Sequence, residues 1–225
     1  MQGMHVRMLR RLKTRTFVGF VVLLMVLSVL TGCATDGKVK PVPVVQESSV
    51  ERLGDGREGF IIKEVPQING ASRRDFERAV AIMNDQEYGQ AIDLLEKVIE
   101  QSPGVTAPYI NMAIACQHIG KLDQAEAHLN TALRLVPEHP VACNEYGLLY
   151  RKTGRFFEAR AIYEKALSNF PDYYPVHRNF GILCDLYLND LACALEHYEI
   201  YSEARPYDKQ VKLWVADLRA RLGRD

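Results

Sequence analysis

The chain has 225 residues with 28 basic and 28 acidic side chains, a length that holds one or two domains. The neutral total hides an asymmetry, because Arg7, Arg10, Arg11, Lys13 and Arg15 precede an apolar run and no acid occurs before Asp36. Without those five, the 28 basic residues fall to 23 against 28 acidic ones, a net charge of about −5. A mildly acidic body argues against nucleic acid as a partner.

The N-terminal segment 1–32 reads as a signal peptide. Phe17 to Leu30 is apolar throughout except for Gly19 and Ser28, short for a bilayer span and of the length of a secretory hydrophobic region. It ends in Leu30-Thr31-Gly32-Cys33, which resembles a bacterial lipoprotein box. That resemblance implies cleavage before Cys33, a diacylglycerol on its sulfur and a further acyl chain on the new amino group. Several acyl chains anchor stably, whereas one alone is marginal. The alternative is an uncleaved anchor with an incidental cysteine. Ala34 follows the cysteine instead of the aspartate that retains some lipoproteins at the inner membrane, which points to the periplasmic face of the outer membrane.

Residues 33–71 form a tether in this reading, rich in Lys, Pro, Val, Gly and charge, with Pro41-Val-Pro43 and Gly54-Asp-Gly56. Within it, Gly59 to Pro66 has a strand-like apolar centre. This piece either docks on the body that follows or serves as linker.

From residue 72 the chain becomes periodic. In the stretch Val141 to Pro171, Gly147 and Ala159 are small residues where two helices would cross, and Tyr150, Tyr163 and Ala166 fill the space beside that crossing. Gly154 breaks the run, and Pro171 ends the second helix because proline lacks an amide hydrogen and disfavours helix in the residue before it. A lone helix pair cannot bury its apolar faces and needs neighbours. A step of thirty-four residues supplies them. Pro171 leads back to Pro137 and Pro103, Gly147 to Ala113 and Ala79, Gly154 to Gly120, Ala159 to Ala125 and Ala91, and Tyr163 to Leu129 and Leu95. Forward lie Gly181, Ala194, Tyr198, Tyr201 and Pro206, with one residue inserted near Leu188-Asn189.

This pattern of small residue, tyrosine, alanine and proline resembles the tetratricopeptide repeat family. Four units fit residues 72–206, the first departing from the family pattern at Arg78 and Gln86. The expected fold is an all-α superhelix of helix-turn-helix units. Its helix pairs fall at roughly 73–85 and 88–101, 107–119 and 123–135, 141–153 and 157–169, 175–187 and 191–204. Ser72-Arg-Arg-Asp75 resembles a capping box at the first start. Residues 207–225 supply a capping helix whose apolar face holds Val211, Trp214, Val215, Leu218 and Leu222, with Trp214 read as an anchor of the cap and not a ligand platform.

In the family, the first helix of each pair lines a concave surface, and the resemblance therefore places a partner groove. Its ninth positions are Val80, Ile114, Leu148 and Ile182. Beside them stand Phe76, Ile110, Asn111, Asn144, Glu145, Arg178 and Asn179, with Met83, Gln117, Arg151 and Asp185 one turn on. An apolar floor with amide and charged flanks suits an extended peptide or a partner helix. About a third of this set is expected to pack between neighbouring helices instead. An aliphatic ninth position argues against the family's carboxylate clamp, which uses asparagine there.

Four cysteines follow Cys33. Cys184 and Cys193 flank the fourth turn, where a disulfide is plausible in an oxidising compartment; the alternative is burial as small apolar residues, and Cys116 with Cys143 is a second possible pair. His177, Cys184, Cys193 and His197 make a Cys₂His₂ set on paper, but the spacing fits no short-loop zinc motif, so no metal or other cofactor is assigned. No phosphate loop, H-E-x-x-H or nucleophile elbow occurs, and no catalytic residue is proposed. The expected function is a non-enzymatic periplasmic scaffold that binds a protein partner for a pilus, a secretion channel or a proton-driven complex. A self-associating structural lipoprotein that braces the envelope is the alternative.

Overall fold

The structure is a computed structural model that describes residues 49–53, 60–63 and 68–224. The signal peptide and Cys33 lie outside the described residues. A short antiparallel hairpin, β1 (Ser49–Arg52) and β2 (Phe60–Lys63), precedes nine helices among the described residues. These are α1 (Gly70–Asn84), α2 (Tyr88–Gln101), α3 (Thr106–His118), α4 (Leu122–Leu135), α5 (Pro140–Lys152), α6 (Phe156–Asn169), α7 (Tyr174–Leu183), α8 (Leu191–Ala204) and α9 (Lys209–Leu222). Each helix packs on the next, and α3 and α5, like α5 and α7, touch directly across successive units.

The first helix starts earlier than the sequence suggests. Asn69 is its N-cap, its side-chain oxygen accepting from the backbone N–H groups of Ala71 and Ser72 at 3.0 and 2.9 Å. Ser72 is instead fully buried, its hydroxyl donating to Gln101 Oε1 at 2.7 Å. The stretch expected to be tether is also partly ordered. β1 and β2 pair from Ser49 opposite Lys63 to Arg52 opposite Phe60, and the Phe60 ring packs 5.1 Å from Phe170 and 5.6 Å from Tyr173.

What holds each helix pair together is a seat for one large side chain. A Cβ built on Gly147 would run into the ring of Tyr163, and one on Gly181 would stand 2.5 Å from the ring of Tyr198. In the first two units the equivalent positions hold alanine, Ala79 and Ala113, and the ring is replaced by Leu95 and Leu129, all fully buried. Seat and occupant thus change together, as close packing requires.

The turns repeat as well. Gly120 and Gly154 take φ of 80° and 77°, and Gln86 is forced to 64° at the same place in the first unit. Behind each, a backbone N–H reaches five residues back: Glu87 to Ile82, Lys121 to Cys116 and Arg155 to Tyr150, at 3.1, 2.9 and 2.8 Å. This is the Schellman closure of a helix.

The inserted residue of the fourth unit is absorbed where the count expects it, as a π-turn over Cys184–Leu188 that ends at Asn189. Asn189 then takes the left-handed position at φ 52°, and the Asp190 N–H closes on the Cys184 carbonyl at 2.9 Å, six residues back instead of five. A disulfide joins Cys184 to Cys193, tying the π-turn to α8. Cys116 and Cys143 are free and buried.

Two imidazoles sit between α7 and α8. His177, 4% exposed, has Nε2 2.8 Å from the Pro171 carbonyl oxygen. That oxygen can only accept, so Nε2 carries the proton and Nδ1 is an acceptor. His197 Nδ1, 3.0 Å away, must donate to it, while its ring stacks on Phe180. This assignment is that of two neutral rings, the state that burial favours. Burial lowers the pKa of each, that of His197 to about 4 with further help from His177 and Arg160 and against Asp190, and that of His177 against the Pro171 hydrogen bond and Glu196. His139, whose Nδ1 accepts from the Ala142 N–H at the start of α5, is likewise lowered to about 4 by burial.

Three measurable outcomes follow from this packing. Gly147→Ala is expected to lower the free energy of urea unfolding by about 1–3 kcal/mol. Combining it with Tyr163→Leu should cost less than the sum of the single changes, the signature of a shared seat. Gln86→Gly is expected to stabilise by about 1 kcal/mol, because only glycine takes the left-handed conformation freely. The unfolded chain takes up protons on His139 and His197 below their ordinary value of 6.5, while the folded chain resists until about 4. Stability should therefore be flat above pH 6.5 and fall as pH drops from 6.5 towards 4. His197→Asn, which can still donate to His177, should make the fall shallower in denaturation series run at stepped pH.

Candidate functional site

The first helices of the four units, α1, α3, α5 and α7, bring Val80, Ile114, Leu148 and Ile182 to the same helical position, and all four are half-buried. Their inward sides join the core: Ile114 packs against the apolar cluster of the first units and Ile182 against that of the last. Phe76, Asn111, Glu145, Arg151, Arg178, Asn179 and Asp185 are also half-buried and complete the face. Three residues expected to line the groove are withdrawn from it. Met83 (9% exposed), Ile110 (4%) and Asn144 (5%) are buried, because inner helices of successive units lie in direct contact and fill the space above these positions.

The polar groups of the face are engaged with one another. Asn179 Nδ2 donates to Asn144 Oδ1 at 2.8 Å, bridging α7 and α5, and Asn144 Nδ2 donates to Glu145 Oε1 at 3.1 Å. Asn111 Nδ2 donates within its own helix to the Ala107 carbonyl at 2.9 Å. The amides expected to greet a partner's backbone thus mainly stitch the inner helices together. Partial burial lifts the Glu145 pKa, opposed by the Asn144 hydrogen bond.

Between α3 and α5 the face dips into a cavity of about 150 Å³. Ile114 and Leu148 form its apolar walls, with Gln117, His118, Glu145 and Lys152 around them. Lys152 Nζ donates to the Gln117 carbonyl at 2.6 Å and crosses from one unit to the next. Sequence reasoning missed His118 and Lys152. The signal was present, since Lys152 follows Leu148 by four residues and shares its side of the helix. The cavity is the size of one side chain, far below the several hundred cubic ångströms of a small-molecule site.

Towards the C-terminal end the face turns basic and aromatic. The Arg151 guanidinium lies 5.8 Å from the Tyr187 ring, and that of Arg178 lies 5.5 Å from Trp214 and 4.0 Å from Asp208. Asp185 pairs with Arg221 of α9 at 3.3 Å. Trp214 is half-buried, its ring 5.1 Å from that of Tyr198. It therefore joins the cap to the fourth unit.

The four residues of the paper zinc set are brought together, but in another chemistry. The two sulfurs are bonded to each other and the two imidazoles to one another, and no cluster of three metal-ligating side chains occurs among the described residues.

Comparisons with known proteins agree with this architecture. Residues 75–142 and residues 117–174 each match the tetratricopeptide repeat family. Among curated proteins, the chain is similar to a probable UDP-N-acetylglucosamine–peptide N-acetylglucosaminyltransferase, SPINDLY, of Petunia hybrida. The two are 27% identical over 152 residues, 67% of this chain, which spans only 14% of that protein. Among solved structures, it superposes on Pseudomonas aeruginosa pilF with a TM-score of 0.62 at 22% identity, covering 67% of this chain and 68% of that one. PilW, a widely conserved type IV pilus biogenesis factor, superposes with a TM-score of 0.61 at 23% identity, covering 69% and 72%. With the thirty-four-residue period, the seats and the turns recurring unit by unit, residues 75–174 of the chain are tetratricopeptide repeats.

Proposed function

We propose that this protein is a non-enzymatic scaffold that holds a segment of a protein partner against the inner helices of its array. The observation that carries this reading is the half-buried aliphatic row Val80, Ile114, Leu148 and Ile182, with a cavity of side-chain size between its second and third members. A row with one apolar contact per unit matches a partner helix or extended segment that runs across the units and sets one side chain into the cavity. The polar groups beside it are already satisfied internally, so binding there loses little hydrogen bonding. Family likeness supports protein binding in general terms. The transferase activity of the Petunia hybrida protein is not carried over, since the chain spans so little of it.

The proposed setting rests on the sequence of the leader and of the box ending at Cys33. In it, the array is lipid-anchored at the periplasmic face of the outer membrane and assists assembly of an envelope complex. A pilus system is favoured over a secretion or energy-transducing one because PilW, described by its role in pilus biogenesis, shares the fold.

The test is photocrosslinking in intact cells, with the reactive residue at Leu148 and a control at Lys165, an exposed position on α6. A protein captured from Leu148 and not from Lys165 is the expected result. In the Leu148→Glu/Ile182→Glu double variant that capture should disappear while the helical signal in circular dichroism persists. Capture that survives the double change, or occurs equally from both positions, sinks the groove assignment.

A further inference from the structure

The last helix carries a second surface that the groove does not use. One side of α9 is buried through Val211, Val215 and Leu218. On the opposite side Ala216 and Ala220 are exposed, and Leu213 is 69% exposed between them and the helix start. A capping helix is expected to turn a polar face outward, and an apolar centre on it calls for a reason.

The repeat supplies the reason. Ala216 follows Gly181 by the same thirty-five positions that separate Tyr198 from Tyr163, so it occupies the seat position of a fifth unit. In each of the four complete units that seat is covered by a large side chain of the second helix. Where the seat is alanine, at Ala79 and Ala113, the covering residue is leucine, Leu95 and Leu129. Among the described residues nothing covers Ala216. Beside it lies a depression of about 270 Å³, walled by Glu199 and Glu203 of α8 and by Lys212 and Arg219 of α9. Glu199 and Arg219 are paired at 2.6 Å, while Glu203 and Lys212 have no ion pair within the described residues.

We propose that α9 is a homodimer interface, in which Leu213 of one copy covers the Ala216–Ala220 seat of a second copy and the reverse. Lys212 of each copy then faces Glu203 of the other. A second copy is the fitting occupant because this one surface holds both halves of the contact. It has an alanine seat and a leucine of the size the array itself places over alanine, and one unmatched base and one unmatched acid. A patch that contains its own complement is what a two-fold interface requires. The contact continues the stacking of the array and leaves the inner helices free, so it does not depend on the groove reading.

The experiment uses the full chain. Treated with the oxidant copper phenanthroline, purified Ala216→Cys should give a covalent dimer on non-reducing gels and Lys165→Cys should not. In detergent, the purified wild type should sediment as a dimer and Ala216→Glu as a monomer with an unchanged thermal melt, because Ala216 is exposed in the single copy. Glu203→Lys should weaken association by at least about tenfold, as like charges meet across the interface. Adding Lys212→Glu should restore it. A wild type that sediments as a monomer, a dimer indifferent to Ala216→Glu, or a charge exchange that fails to restore association overturns the proposal.

Discussion

The structure depends on one contact made four times, a large side chain of a second helix lowered onto a small residue of the first. The seat lets the two backbones approach, and that closeness sets the crossing from which each unit's faces follow. Tyrosine demands glycine beneath it and leucine accepts alanine, as Gly147 with Tyr163 and Ala113 with Leu129 illustrate. Each seat is buried by its own unit's second helix, and the outer faces of each unit are closed by the next, which makes the array a linear sum of neighbour contacts. Among the described residues that sum is left open at α9.

Much of this was legible because the signals were local and repeated. Prolines at fixed spacing, small residues at the crossings and glycine in two of the four turns locate eight helices within a few residues. The misreadings share a cause, namely competition between two local solutions that only packing decides. Ser72 has the chemistry of a cap, but Asn69 stands three residues earlier and frees Ser72 to meet Gln101 across the helix pair. The inserted residue of the fourth unit is visible in the count, yet sequence cannot say how a helix will swallow it. The hydrogen bond from Asp190 to Cys184 answers that, and the neighbouring disulfide spans the same place. The partner strand of Phe60 to Lys63 carries too little apolar pattern to announce itself.

The groove was less legible than the fold. Its aliphatic row follows from the repeat, but whether the residue beside it faces solvent depends on how closely the next inner helix approaches. That distance is set by the second helices behind. Ile110 and Asn144 occupy the same repeat position as Arg178, yet the first two are buried and the last is not, because Arg178 lies nearest the open end and leans on Trp214. The sequence also could not reveal that Asn144 and Asn179 would find each other across thirty-five residues. This amide pair ties α5 to α7 along the inner wall.

An aliphatic row that recurs once per unit leaves a choice of register along it. A partner displaced by one whole unit would find aliphatic side chains where it left aliphatic side chains. The π-turn of the fourth unit breaks this sameness. By taking up one extra residue it leaves Leu186 and Tyr187 exposed at the end of α7, with Phe156 against the Tyr187 ring. No other described unit has this bulge. A segment lying along the aliphatic row would therefore meet a surface at the fourth unit that the other described units do not offer.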